Sequence, residues 1–483
     1  LHRVDRRQRQ MCIRDRAIVV DVNGNVLGTA KRPIQLHTPA MDQYEHNPIR
    51  WWETSRDTIG EVISGLSPAD RSRVSAIGVT QQRESFAPFK ADGTPLRNGI
   101  LWLDGRATEQ IRAYGTDRVH QLSGKPAGVQ PSIRWHGSSN TNRTHLPRLT
   151  RSSMLVATSV STSLIDGPPR KHPPIPSASS ISNRAPGLTN SSRSLASSAT
   201  RWLIWFHLLT SLGTCAQNSS RTGVWTVRFA SLRASATVRQ PASALPQSPP
   251  DIAYLNLGTA VNAGVESPTY KYDSAVRTLV SGIPGEYVFE VLQSSGSYLA
   301  GWFREALGDP RLLGEPDPEL DAAASTIPPG CEGLITLPYW NAVQSPYWDP
   351  VARGAVVGWR GTHSRAHMYR SILESIGFEM RFNLDCIEKQ TGVRITALRA
   401  MGGGTRSKLW RQIMADTAGV PITTCVEDEI SALGAAVLAM AGIEAHGSHD
   451  VAVSAKAMAH FGDTTEPDVS LHAQYKDVAE VQH

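Results

Sequence analysis

The sequence predicts an α/β protein built as two coherent halves around an anomalous middle. Three observations carry this reading. From Ala17 to Ile133, and again from Asp251 to about Gly462, β-branched runs ending in glycine turns alternate with apolar residues at helical spacing. Between Arg134 and Pro250 that pattern stops, and arginine, serine and proline crowd in. In that block Asp166 is the one acidic residue before Pro250 and Lys171 the one lysine. We therefore divide the chain into residues 1–16, 17–133, 134–250, 251–465 and a tail, 466–483.

Charge follows the same division. The chain of 483 residues carries a formal net charge of +6. With twelve arginines, one lysine and one acid, the middle block holds +12, so the rest stands at −6. The basic character belongs to the block alone, and a nucleic-acid partner is not expected. Cys12, Cys215, Cys331, Cys386 and Cys425 lack metal-ligand spacing, which favours buried thiols in a reducing cytoplasm and no metal-ligating residues. A membrane partner is not expected either. The apolar patch Trp202–Leu209 is shorter than a span and is interrupted by His207. Leu1–Arg16 is arginine-rich, lacks the apolar core of a signal peptide, and contains MCIRDR, which resembles a translated sequencing adapter. It is read as non-native.

In the first half, Ala17–Val22 predicts a strand running into the Asn23-Gly24 hairpin turn, and Val26–Ala30 its partner. Trp51–Leu66 has helical spacing. Val74–Val79 predicts a buried strand leading into Gln82-Arg83-Glu84. A charged cluster directly after a buried strand stands where open α/β sheets bind ligands. Arg and Glu side by side donate to and accept from vicinal hydroxyls, which suits a sugar or polyol. A surface ion pair is the plainer alternative. Asp92-Gly93 closes a turn before Leu101-Trp102-Leu103-Asp104-Gly105-Arg106.

In the second half, Ile252–Leu257 predicts a strand entering Gly258-Thr259, a turn whose amides and hydroxyl suit a phosphate. Tyr287–Leu292 and Gly296–Arg304 read as strand and helix. Met368, Ile372, Leu373, Ile376, Met380 and Leu384 mark a long helix over His367–Thr391. Ile395–Met401 predicts a strand running into Gly402-Gly403-Gly404-Thr405-Arg406-Ser407, then a helix over Leu409–Ala418. Glycines between a strand and a helix let a flat ligand lie on bare backbone, and the helix N-terminus favours an anion. Val420–Cys425 and Ser431–Ala441 read as a further strand and a small-residue helix.

These motifs, in this order, resemble the FGGY carbohydrate kinases, which phosphorylate sugars and polyols with ATP. Gly354–Trp359, His367-Met368 and Ser371–Glu374 fit the spacing of that family's C-terminal signature, with Trp359 bulkier than the usual aliphatic. Gly402, Gly403, Gly404 and Ser407 are similar to its adenosine loop, and Gly258 and Thr259 to its second phosphate loop. Trp102 and Asp104 lie in a segment similar to the xylulokinase sugar pocket, whereas Gln82, Arg83 and Glu84 are closer to glycerol kinases. The resemblance implies two actin-like (ribonuclease H-like) domains with a central cleft. It further implies ATP and Mg²⁺, a small sugar or polyol as partner, a ketopentose such as xylulose ahead of a glycerol-type polyol, and a homodimer as candidate assembly.

The resemblance also shows what is missing. The family's first phosphate loop, an Asp-x-Gly-Thr turn, would precede Ala17 and is absent. Its catalytic aspartate, in an Asp-Gly motif before Gly258-Thr259, is absent as well, since Asp166 and Asp251 lack that context. A frameshift accounts for both composition and loss. Read across codon junctions, Arg134–Ser139 can spell Leu-Ala-Trp-Leu-Lys, close to a family signature. Ala236-Thr237-Val238 can spell Asp-Gly. Residues 134 to about 249 are expected to be an out-of-frame translation that leaves the first domain incomplete and the partner surface for Val74–Val79 and its neighbours exposed. This chain is then inactive as written. A genuine Ser/Pro/Arg insertion and a non-catalytic binding protein are the alternatives.

Overall fold

A computed structural model describes residues 14–40, 42–81, 84–90, 93–102, 104–126, 154–155, 160–166, 249–309, 311, 317–427 and 429–482. Gln82, Arg83, Ala236 and Thr237 lie outside the described residues.

The N-terminal half opens with an antiparallel hairpin of β1 (Arg14–Val20) and β2 (Val26–Pro33). Its turn is the expected one: Gly24 sits at φ 83, and Asp21 Oδ1 accepts from the amides of Asn23 and Asn25. β3 (Glu45–His46) precedes α1 (Pro48–Ser64), which starts with Pro48 behind an Asn47 cap that accepts from Ile49 N at 3.0 Å. Then come α2 (Pro68–Arg73), β4 (Val74–Gln81), β5 (Ala87–Pro88), β6 (Gly99–Ile100), α3 (Thr108–Tyr114) and α4 (Asp117–Ser123). β7 (Met154–Leu155) and β8 (Val160–Asp166) fall inside the anomalous block.

Among the described residues the first sheet has the order β2-β1-β8-β4. β8 runs parallel to β1 and antiparallel to β4. This corrects the expectation that the partner surface for Val74–Val79 is exposed, since β8 pairs with it and Gly78 lies against Ala435. Val160-Ser-Thr-Ser-Leu-Ile-Asp166 is rich in β-branched residues, and that propensity suffices to complete a sheet slot. The strand predicted from Ala17 also begins earlier, at Arg14, so Asp15 is carried into the core with no exposure.

The C-terminal half contains β9 (Ile252–Leu257), β10 (Val261–Ser267), β11 (Arg277–Val280), β12 (Tyr287–Gln293), α5 (Ser297–Leu307), α6 (Pro318–Ser325), β13 (Ile335–Leu337) and β14 (Ala355–Val357). α7 (Arg365–Thr391), β15 (Ala397–Met401), α8 (Lys408–Ala418), β16 (Ile422–Cys425), α9 (Ile430–Gly442), α10 (Val451–Met458), β17 (Phe461–Thr465) and α11 (Val469–Gln482) follow. The large sheet has the order β11-β12-β10-β9-β15-β16-β17, with β9, β15 and β16 mutually parallel.

One face of this sheet buries Leu255, Leu257, Val261 and Ala263 against Phe303, Ile372, Met380 and Ile413 from the helices. Each fully buried aliphatic contributes about 1.5–3 kcal/mol relative to exposure. α7 is locked at both ends, by a Ser364/His367 capping box and by Gly392 at φ 75. The other face carries Tyr254, Leu279, Val288 and Met401 and meets α9 and α10. The same cluster takes in Ile18, Val20 and Ala76 from the first sheet. α9 thus lies between the two sheets, and Glu429 just before it pairs with Arg16 and, at 2.6 Å, with Lys31.

The tail is not loose. Tyr475 of α11 is 1% exposed, and its hydroxyl donates to Glu374 Oε1 (3.0 Å) while accepting from Arg370 Nη2 (2.9 Å). The described cysteines Cys331, Cys386 and Cys425 are free thiols.

Candidate active site

The parallel pairing of β9 with β15 sets two turns side by side. Its register runs from Ala397 opposite Ile252 to Met401 opposite Asn256, so Gly258-Thr259 and Gly402–Ser407 leave neighbouring carboxyl ends. Gly402 has φ 91, and a Cβ there would lie 2.8 Å from Asn256 Oδ1 and 2.9 Å from the Leu257 carbonyl carbon. Gly404 is equally confined, since its Cβ would meet the Trp410 ring and Leu257. Both glycines are needed for the turn to close on β9. The start of α5 braces the first turn: Gly296 N donates to Thr259 O (3.0 Å) and Ser297 N to Gly258 O (2.9 Å).

Ser407 serves the helix. Its hydroxyl accepts from Trp410 N (3.2 Å) as the α8 cap and donates to Asp321 Oδ2 (3.0 Å). Beneath the turns runs a polar network that the sequence reading missed. Asn256 Nδ2 donates to Asn262 Oδ1 (2.9 Å), and Asn262 Nδ2 to Glu290 Oε2 (2.8 Å). Glu290 also accepts from Tyr254 OH and from Arg277 Nε (2.6 Å) and has no exposure. The signal was available: Asn256 and Asn262 are polar residues inside otherwise apolar strands.

In the first half, Glu84 follows the carboxyl end of β4. Its φ is 62, an uncommon conformation for a side-chain-bearing residue, and it is 7% exposed. Lys125 Nζ reaches Glu84 Oε1 at 3.1 Å. Ser85, also buried, accepts from Trp102 N (3.1 Å) and so ties the Glu84 turn to the Trp102 segment. The Trp102 indole N–H is buried with no protein partner among the described residues. Asp104 is fully engaged differently: it accepts from Tyr44 N (2.7 Å), Arg106 N (3.1 Å) and the Arg106 guanidinium (2.7 Å). Arg106 also pairs with Glu45 at 2.8 Å. Asp104 therefore builds the segment that presents Trp102.

The halves meet at α4. His120, 5% exposed, places Nε2 3.2 Å from Val276 O and meets Tyr272 edge-on at 4.9 Å. Burial lowers its pKa below the usual imidazole value. Tyr270 OH donates to Gln121 O (2.6 Å), and Thr278 N to Gly124 O (2.7 Å). Among the described residues, no group of three or more His, Cys, Asp or Glu side chains could hold a metal ion.

Sequence comparison matches residues 13–127 to the FGGY family of carbohydrate kinases, N-terminal domain, and residues 253–443 to its C-terminal domain. Fold and loops define a two-domain, actin-like phosphotransferase. The chain belongs to the FGGY family of carbohydrate kinases, enzymes that use ATP as substrate. Similar curated proteins include the glycerol kinase of Citrifermentans bemidjiense, 27% identical over 469 residues and covering 88% of each chain. That of Pasteurella multocida is 28% identical over 462 residues, covering 88% of this chain and 86% of its own. Among solved structures, a xyloylose kinase from Brucella ovis superposes with a TM-score of 0.67 at 20% identity, covering 97% of this chain and 98% of its own. A gluconate kinase from Lactobacillus acidophilus gives 0.69 at 17% identity over 96% of each chain. At such identity these structures speak to the fold alone. No helix of the described residues is long and apolar enough to cross a membrane.

Proposed function

We propose that this chain derives from an ATP-dependent kinase for a short polyol of the glycerol type, and that as written it binds without transferring phosphate. The observation that carries the polyol site is Glu84, a buried carboxylate held in a left-handed turn at the carboxyl end of β4, tied through Ser85 to Trp102. A carboxylate offers a hydroxyl acceptor and an indole an apolar face, which is what a short polyol requires. The similar glycerol kinases favour glycerol over a ketopentose. The LWLDGR segment is the argument for the ketopentose, but its Asp104 is engaged by Tyr44 and Arg106. On the nucleotide side, Gly258 and Thr259 would take the ATP phosphates and Gly402, Gly403 and Gly404 its adenosine.

Transfer needs a hydroxyl oxygen to attack the γ-phosphorus, the bond to the β-phosphate oxygen to break, and the hydroxyl proton to reach a base. Neither Asp166 nor Asp251 is placed for that role. Asp166 pairs with Val74 at the amino end of β4, roughly 23 Å along the strand from the end that leads to Glu84. Asp251 stands before the amino end of β9, where its Oδ2 accepts from Thr396 Oγ1 at 2.7 Å. A coupled ADP-release assay with glycerol and D-xylulose tests both parts. This chain should show no turnover with either, and a frame-restored protein should prefer glycerol. Turnover by this chain would sink the proposed loss, and a xylulose preference the glycerol reading.

A further inference from the structure

Lys125 is held in place by more than its partner. α4 ends at Gly124, which has φ 70 and donates to His120 O at 2.8 Å. Lys125 N donates to Ser123 Oγ (3.2 Å), and that hydroxyl donates to Val119 O (2.6 Å) in α4. Gly124 O accepts from Thr278 N of β11, in the other half of the protein, at 2.7 Å. A Cβ on Gly124 would overlap Thr278 O, so the two backbones touch directly. The lysine backbone is held through its own amide and through Gly124 before it, and its ammonium reaches Glu84 Oε1. The side chains of Lys125 and Glu84 are 21% and 7% exposed, so the pair is shielded from salt in a way a surface pair is not.

We infer that Lys125 is a positioning residue for polyol recognition: it fixes the Glu84 carboxylate in the orientation that receives a hydroxyl. The inference rests on the reading of Glu84 as the polyol carboxylate. It adds that the C-terminal half, through Thr278 and Gly124, sets where that carboxylate points. A carboxylate on a left-handed turn has no regular element to fix its side chain. A charge-assisted bond to one oxygen fixes the plane of the group.

Calorimetric titration of glycerol and D-xylulose into the full chain tests this, with thermal unfolding midpoints recorded alongside. Lys125→Met should weaken glycerol binding about tenfold, the loss expected when one member of a shielded charge pair is removed. Lys125→Arg should restore most of the affinity. Lys125→Gln, which keeps a donor, serves where the Met variant fails to fold. In a Glu84→Gln background the Lys125 change should add nothing. Unchanged affinity in a folded Lys125→Met or Lys125→Gln protein would overturn the inference while leaving the polyol site standing. An equal loss in the Glu84→Gln background would overturn it too. If the unaltered chain binds neither compound, the reading of Glu84 falls and the inference with it.

Discussion

Gly78 of β4 lies directly against the backbone of Ala435 in α9, so close that a Cβ on the glycine would overlap the Ala435 carbonyl oxygen. The contact is backbone on backbone, and no flexible side chain is available to move aside. Gly78→Ala should therefore destabilise the protein by about 1–3 kcal/mol, the usual cost of overpacking a filled interface. A urea midpoint that does not move would show that the helix can step back.

The glycine loop makes a different demand. Gly402→Ala meets both a left-handed φ of 91 and the Asn256 and Leu257 atoms. ATP affinity, measured by calorimetry with a non-hydrolysable analogue, should fall at least about tenfold, because the turn must open to accept the methyl. Ser407→Ala is the contrast. It removes the α8 cap at a cost of about 1 kcal/mol and should leave nucleotide affinity nearly unchanged.

Asp15 gives the protein a pH dependence with a definite sign. Burial, partly offset by the Thr54 and Ser55 hydroxyls, raises its pKa from 3.8 to about 7. A group whose folded pKa lies above its unfolded value stabilises fully below the unfolded value and loses that contribution as pH rises through the folded one. Stability from Asp15 is thus lost between about pH 4 and pH 7, by at most about 4 kcal/mol. Asp15→Asn should gain on the parent as pH rises, seen as a larger difference in unfolding free energy at pH 8 than at pH 5. A constant difference would refute this assignment.

Arg370 holds the tail. It donates to Glu374 Oε1 at 2.6 Å and to Tyr475 OH at 2.9 Å, with Glu374 only 2% exposed. Arg370→Met leaves Glu374 uncompensated in the core and should cost about 3–5 kcal/mol. Hydrogen exchange should show α11 losing protection first. Uniform loss across the chain would contradict that order.

The coding DNA decides the origin of residues 134–249. An insertion or deletion is expected near codon 134 and a compensating one near codon 250. Restoring the frame should return an Asp-Gly pair at the position of Ala236 and Thr237. An unbroken frame through both places would refute the reading.

Much of the fold was legible because its signals are local. Ile252–Leu257, Val74–Val79 and Asn23-Gly24 combine β-branched runs with turn residues, and the structure places strands and a turn there. The glycine loops were legible for the same reason. What escaped depends on distance in sequence. Lys125 meets Glu84 from 41 residues away, and Glu290 joins Asn262 from 28 away. No pattern within a window announces such pairs. α11 was read as a tail, and Val469–Gln482 has a weak apolar stripe; its docking uses separated polar contacts, Tyr475 on Arg370 and Glu374, His472 on Asp416 O and Gln482 on Glu379. β8 escaped for the opposite reason: composition marked its surroundings as irregular, while its own seven residues have strand propensity.

The placement of α9 carries a last consequence. The helix belongs by sequence to the second half yet buries Ala432, Leu433 and Ala436 in a cluster shared with Ile18, Val20 and Ala76 of the first. Severing the chain between the two matched regions would not yield two modules. The leading fragment would present an uncovered apolar sheet face, and the trailing one an orphaned helix seeking it. Complementation of co-expressed halves, not autonomy of either, is the behaviour this architecture prescribes.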